Sequence, residues 1–289
     1  MSPEEQPPVT WRPVRDGVYV TTLEPASVNC GLVVGADAAL LVDTGSSPEQ
    51  GTALRESVRT VTDVPLRYVV VTHHHWDHAF GLAAFADLDS IGHESLPVTL
   101  ASEESRTAAA EHGLDPDHVP VPSTSISIIA ARDLGGVHVE IGHFGPGHTG
   151  GDLAVLVPEA RVLFAGDLVE QGDPPQVDET TSMRGWPRVM EALLTLCKPD
   201  TIVVPGHGKA VDAHFISWEG TGLDAIYGQC EWLVGQGVAE ADAYDHPELQ
   251  LPWDEAWARR AIARAYAELA AAGVTPSVRT LPIQAVPRT

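Results

Sequence analysis

The chain has 289 residues, with 17 Lys or Arg against 40 Asp or Glu and a formal net charge of −23. So acidic a chain lacks the basic patch that a phosphate backbone requires, and Lys198 and Lys209 are its only lysines, so a Lys-rich segment for an anionic membrane surface is absent too. Hydrophobic residues make up 44%, as in a globular protein, and no apolar run approaches the roughly 18 residues of a membrane span. Nucleic acid and membrane are excluded as partners on these grounds.

Residues 1–14 read as a flexible tail, acidic and Pro-rich where a secretory signal would be basic and then apolar. Cys30, Cys197 and Cys230 have no CxxC spacing and exclude a disulfide framework. Together these predict a cytoplasmic protein, unless an export signal preceded residue 1. Short β-type runs follow at Val18–Leu23, Cys30–Val34 and Ala39–Val42, the last running into Asp43-Thr44-Gly45. Ser47 and Pro48 offer an N-cap and a first helical residue for a helix to about Val61. Arg67–Val71 is a continuous apolar strand that leads into His73-His74-His75-Trp76-Asp77-His78. Beyond it the pattern predicts a helix over Ala79–Phe85, a strand over Ser90–His93, and a long helix over Pro97–His112 with Gly113 as C-cap. Strands are expected at Ser125–Ala130, Val137–Ile141, Leu153–Val157 and Val162–Ala165, then a helix at Trp186–Leu196 and a buried strand at Thr201–Val204. From about Ala210 only helical stripes remain, Leu223 to Val234 and Trp253 to Leu269, which read as packing surfaces. Alternating strands and helices argue for α/β layers with a helical C-terminal extension.

Four polar clusters share one position, just past a predicted strand: the histidine run, Gly145-Pro146-Gly147-His148-Thr149, Gly166-Asp167, and Pro205-Gly206-His207-Gly208. Loops beyond strand ends converge on one rim in α/β proteins, so these clusters can meet. His73 and His75, two apart in a turn, can aim both imidazoles at one ion, while Asp77 and His78 add donors pointing elsewhere. Imidazole with carboxylate suits Zn²⁺, with Fe or Mn as alternatives. With His148, Asp167 and His207 the donors number seven, enough for two ions per chain that share a carboxylate and a hydroxide. Any one of these residues alone has a bland reading as a loop, capping or turn residue; the four clusters in this order do not.

On these motifs the sequence resembles the metallo-β-lactamase-fold superfamily: HHHWDH matches its HxHxDH, and PGHTGGD, FAGD and VPGHG follow in family order over about residues 15–215. The resemblance implies a four-layer αββα sandwich over 15–215, with 216–289 as a helical extension packed on it. It implies that His73, His75 and His148 bind a first metal and Asp77, His78 and His207 a second, with Asp167 bridging. Asp43 would orient the ligand loop. A hydroxide between the ions would attack a carbonyl, with Asp77 orienting it and handling its proton. β-Lactamases of the fold carry Cys or Ser where Asp167 stands, which points to other hydrolases of small-molecule esters, thioesters or lactones, the glyoxalase II-like branch among them. A mononuclear iron enzyme similar to persulfide dioxygenases is the alternative, as is β-lactam hydrolysis as a main or side activity.

Arg259, Arg260 and Arg264 are candidates for a glutathione-like ligand. Met183, Arg184 and Trp186, in the segment after Asp167, are candidate pocket residues, and the C-terminal helices either cover the pocket or form a homodimer surface. Two divalent ions would make the site locally positive inside an acidic shell, able to hold a carboxylate-bearing small molecule.

Overall fold

The structure, a computed structural model, describes residues 8–276. It begins earlier than the expected tail boundary: β1 (Arg12–Arg15) pairs antiparallel with β2 (Val18–Leu23), and Trp11 Nε1 donates to Ser57 Oγ at 2.9 Å. Residues 8–14 thus belong to the folded body, held by a strand pairing that no periodicity in so short a run announces; residues 1–7 lie outside the described residues.

β3 (Val28–Val34) and β4 (Ala39–Val42) continue the antiparallel meander, and the chain then switches to parallel pairing through β5 (Leu66–Val70), β6 (Asp89–His93) and β7 (Thr124–Ile126). The second half is β8 (Ile129–Asp133), β9 (His138–Gly142), β10 (Ala154–Val157) and β11 (Val162–Glu170), antiparallel throughout, with β12 (Ile202–His207) parallel to β11. Among the described residues one strand pairing joins the halves, His207 with Val28, and backbone bonds outside the ladders add to it, among them Leu153 N to Thr72 O and Asp37 N to Leu134 O, both at 2.8 Å. One apolar cluster takes Val20, Val33, Leu40 and Val70 from the first half and Val139, Ile141, Val155 and Phe164 from the second, so the halves face each other across it.

Helices cover the outer faces. α1 (Pro48–Ser57), α2 (Trp76–Ala79) with the 3-10 helix Phe80–Phe85 that continues it, α3 (Leu96–Leu100) and α4 (Glu103–Glu111) bury Leu54, Phe80, Phe85 and Leu96 against β3 to β5. On the opposite side, α5 (Trp186–Leu196), α6 (Ala213–Gly235), α7 (Glu240–Ala243) and α8 (Glu255–Ala271) share a core with Leu163, Ala165 and Val169 of β11. The layers run helix, sheet, sheet, helix. Among the described residues, no helix is long and apolar enough to cross a membrane.

Three departures from the sequence reading have local causes. The expected helix over Pro97–His112 is two helices, because Ser102 turns extended and its side chain caps α4 at Ser105 N. The expected strand Ser125–Ala130 divides into β7 and β8, which belong to different halves; the chain crosses between sheets at Ser127 and Ile128. Gly166 and Asp167 are not past a strand end but inside β11, where the register with β12 shifts on both sides of Gly166.

Candidate metal centre

The irregularity in β11 aims Asp167 across the strand ends. Gly166 sits at φ +53°, and a Cβ there would crowd Thr72. On the neighbouring strand a Cβ at Gly206 would fall 1.7 Å from Asp167 Oδ1, so only glycine leaves the carboxylate its place. Asp77 and His78 ride on α2, whose first turn is formed by the histidine run itself. His148 is presented by a turn that Asp152 shapes, its carboxylate accepting from Thr149 N at 2.8 Å and Thr149 Oγ1 at 2.6 Å.

All seven motif residues meet here, in two groups whose donor atoms lie within 4.8 Å of one another: His73, His75, His148 and Asp167; and Asp77, His78 and His207. In the first, His75 Nδ1 stands 3.1 Å from His73 Nε2 and 2.9 Å from His148 Nε2, with Asp167 Oδ2 at 3.6 and 3.7 Å from the latter two nitrogens. In the second, His207 Nε2 is 3.2 Å from Asp77 Oδ2, and His78 Nε2 is 3.7 Å from the same oxygen. Asp167 lies between the groups, with Oδ1 3.1 Å from His78 Nε2 and Oδ2 3.5 Å from His207 Nε2.

The outward nitrogens decide which way the lone pairs point. Thr72 Oγ1 donates to Asp43 Oδ2 at 2.9 Å, so its lone pair accepts from His73 Nδ1 at 3.0 Å. His75 Nε2 donates to Asp178 Oδ2 at 2.9 Å, and His78 Nδ1 to Asp43 Oδ2 at 2.8 Å. His148 Nδ1 and His207 Nδ1 each donate to a carbonyl at 3.1 Å, of Gln176 and Ala26. Each imidazole thereby spends its proton outward and turns a bare nitrogen inward, the arrangement that orients histidine toward a metal. Asp43, held at φ +63°, also accepts from Thr72 N at 2.8 Å and so ties the end of β5 to His78.

Two buried atoms, His78 Nε2 and Asp167 Oδ1, have no hydrogen-bond partner although they approach each other to 3.1 Å. They face a shared point, not one another. Electrostatics agrees. Burial is the largest influence on every group and would drive each imidazole neutral; it holds His73 well below the usual value and brings His148 to about 4. At His78 and His207 burial is outweighed, at His78 by Asp167, Asp43 and Asp77 and at His207 by the Asp167 and Asp77 carboxylates, which accept from the charged imidazole; His78 rises well above the ordinary value and His207 to about 10. The carboxylates thus demand positive charge at the spot where the donors converge. Imidazole and carboxylate donors converging on an unmet charge fit divalent ions of the zinc type.

A cavity of about 670 Å³ opens beside these residues, bordered by His75, Asp77, Asp167 and His207 and then by Trp76, Glu104, Glu170, Asp173, Gln176 and Asp178. None of Met183, Arg184 and Trp186 lines it. Met183 and Trp186 are fully buried core side chains, Trp186 donating to Leu168 O at 3.0 Å, and Arg184 is exposed. Their place in the wall is taken by the preceding residues of the same segment. The three candidate arginines do not line it either: Arg259 pairs with Glu255 at 2.9 Å, and Arg264 bonds the carbonyl of Thr181. Sequence reasoning missed Thr72, Asp152 and Asp178, which touch ligands or their loops; only Asp152, inside the PGHTGGD motif, carried a signal.

The sequence profile described as the metallo-beta-lactamase superfamily matches residues 23–207, and the chain belongs to that superfamily. It is a metal-dependent hydrolase of that class. Among curated proteins it is similar to a metallo-beta-lactamase type 2 of Bacillus sp. (strain 170), 25% identical over 63% of this chain and 67% of that protein. It is also similar to a hydroxyacylglutathione hydrolase of Ruegeria pomeroyi, 30% identical over 49% of this chain and 48% of that one. A solved metallo-beta-lactamase from Pontibacter korlensis shares the fold, with a TM-score of 0.63 and 22% identity over 75% of this chain and 99% of its own.

Proposed function

We propose that this chain works with two metal ions, Zn²⁺ by its donor set, to hydrolyse an ester, thioester or lactone of a small molecule. The observation that carries the reading is the set of five imidazoles, each tied outward by one nitrogen and bare inward at the other, around a carboxylate shared by two groups. His73, His75 and His148 would hold one ion and Asp77, His78 and His207 the other, with Asp167 between them. When bound, such ions supply Lewis acidity and bring the pKa of a water to about neutrality, so hydroxide is present at working pH.

The chain's own residues do the rest. Thr72, Asp43 and Asp178 fix the imidazole orientations before substrate arrives, so little reorganisation remains during the reaction. Asp77 and Asp167 both belong to the groups and border the cavity; with Asp167 taken up between the groups, the Asp77 carboxylate is left to orient the attacking water and receive its proton. Water adds across the acyl carbon–heteroatom bond, its oxygen ending on the acyl carbon and the proton on the departing alcohol or thiol. The mononuclear iron alternative employs one group and leaves the other converging on nothing, which is why the dinuclear reading is preferred.

Metal analysis with a substrate panel tests this. About two zinc ions per chain, with turnover of an ester, thioester or lactone, is the expected result, and His75→Ala and Asp167→Ala are expected to lose metal and turnover together. Full activity in either variant overturns the assignment. One iron per chain with oxygen uptake on a persulfide would establish the dioxygenase alternative, and hydrolysis confined to β-lactams would replace the substrate class.

A further inference from the structure

Beyond the ligands, the cavity wall has a one-sided chemistry. Six carboxyl side chains border it, those of Asp77, Glu104, Asp167, Glu170, Asp173 and Asp178, and no Lys or Arg among the described residues does. Asp77 and Asp167 belong to the metal groups, Asp178 is engaged by His75, and Glu170 is buried and accepts from Gln176 N at 2.7 Å. Glu104 and Asp173 remain, both exposed, at the outer part of the wall. With them stands Trp76, half-buried, its ring stacked on that of His112 at 3.8 Å and 14°. One face of the indole is therefore braced and the side chain held in place as part of the wall. Lys209, next to the cavity residue Gly208, contributes its backbone N–H to Gln171 Oε1 at 2.7 Å. The buried, unpartnered atoms of His78 and Asp167 mark where the scissile group must go, which leaves Trp76, Glu104 and Asp173 to meet the remainder of the substrate.

We propose that this wall selects a substrate bearing a cationic group, an ammonium or quaternary ammonium, seated on Trp76 and facing Glu104 and Asp173, and that it disfavours carboxylate-bearing substrates such as glutathione thioesters. The physical basis is twofold: the face of an indole attracts cations, and a cleft lined by one sign of charge concentrates the opposite sign and repels its own. This rests on the hydrolase reading and narrows its substrate class. It also reverses the expectation that a positive centre would hold a carboxylate, because the ions meet the reacting carbonyl whereas the outer wall meets the rest of the molecule.

The test uses the metal-loaded protein and three thioesters of matched size whose acyl chains end in trimethylammonium, tert-butyl or carboxylate. kcat/KM is expected to fall in that order, the cation exceeding the anion by about tenfold at low ionic strength and by less as salt screens the wall. Combining Glu104→Gln with Asp173→Asn is expected to shrink the cation-to-anion ratio severalfold. Choline binding, followed by calorimetry without turnover, is expected to weaken severalfold in Trp76→Leu. A carboxylate substrate equal to or better than the cation overturns the proposal, most directly if Lys209→Ala then removes its advantage; so does a ratio indifferent to the Glu104/Asp173 pair. Hydrolysis of none of the three refutes the thioester part of the proposed substrate class instead, and the choline measurement then decides the charge preference by itself.

Discussion

The rim of strand ends and the C-terminal helical layer meet at the candidate metal centre, and they are built on opposite terms. The rim buries polar atoms, and each ligand histidine there is held by a specific partner in Asp43, Thr72, Asp178 or a carbonyl. The helical layer buries apolar stripes, Leu223, Ile226, Leu233, Trp257, Ala261, Ala265 and Leu269 among them. Yet one face of α8 reaches the centre through the loop ahead of α5. Trp257 Nε1 donates to Pro175 O, Arg264 to Thr181 O, and Glu268 accepts from Met183 N at 2.7 Å and Arg184 N at 3.1 Å. The loop so held carries Asp178 to His75, Gln176 O to His148, and Thr181 Oγ1 to His148 O at 2.9 Å. Ligand geometry is thus shared between a rim that contributes the donors and a helix that contributes none.

If the rim alone supplies the donors, the largest effect lies there. Asp167→Ala removes the carboxylate that lies between the two groups, and turnover is expected to drop at least about a thousandfold with loss of bound metal, read by steady-state kinetics and elemental analysis. Asp178→Asn tests the hinge of the comparison, since the side chain orients His75 without joining either group. Metal affinity is expected to fall by about 10–100-fold, with the melting temperature of the metal-free protein nearly unchanged. Undiminished affinity would show that His75 needs no brace. Glu268→Ala acts one step further out. A smaller, severalfold loss of metal affinity is expected, with faster hydrogen exchange at Met183 and Arg184, whose N–H groups lose their acceptor.

The same contrast explains what could be read in the sequence. The seven donors that the structure brings together were legible because metal chemistry favours His and Asp and because glycines must stand beside Asp167, His148 and His207. Most strands were legible from apolar runs. Asp178 was not, since an Asp followed by Glu179 and two threonines in a loop looks like any turn, and it caps one too, accepting from Thr180 N at 2.6 Å. Met183 and Trp186 misled for a related reason: an aromatic and a sulfur side chain after a metal-binding strand suit a pocket as well as a core, and only the α5–α6–α8 packing settles which. Nor does local pattern reveal that β7 and β8 stand at opposite ends of the strand order, in different halves, because such a crossing changes partners, not periodicity.

The last prediction concerns a side chain of the helical layer that belongs to neither ligand group. Glu219 of α6 is wholly buried, and neither carboxyl oxygen has a partner. Burial raises its pKa well above the ordinary carboxyl value. A folded-state pKa above the unfolded one means that the stability tied to the neutral form is fully present below the unfolded value and is lost as pH rises through the folded value. Replacing Glu219 with Met, similar in length and without polar atoms to strand, is expected to stabilise the fold by about 1–3 kcal/mol at neutral pH, by urea denaturation. The gain should grow from acid toward alkaline pH, and metal content should stay unchanged because Glu219 belongs to neither ligand group. A loss of stability, or a gain that shrinks as pH rises, would mean that Glu219 has a partner in the folded protein. A loss of bound metal would extend the centre's support beyond α8 and weaken the distinction between the two regions.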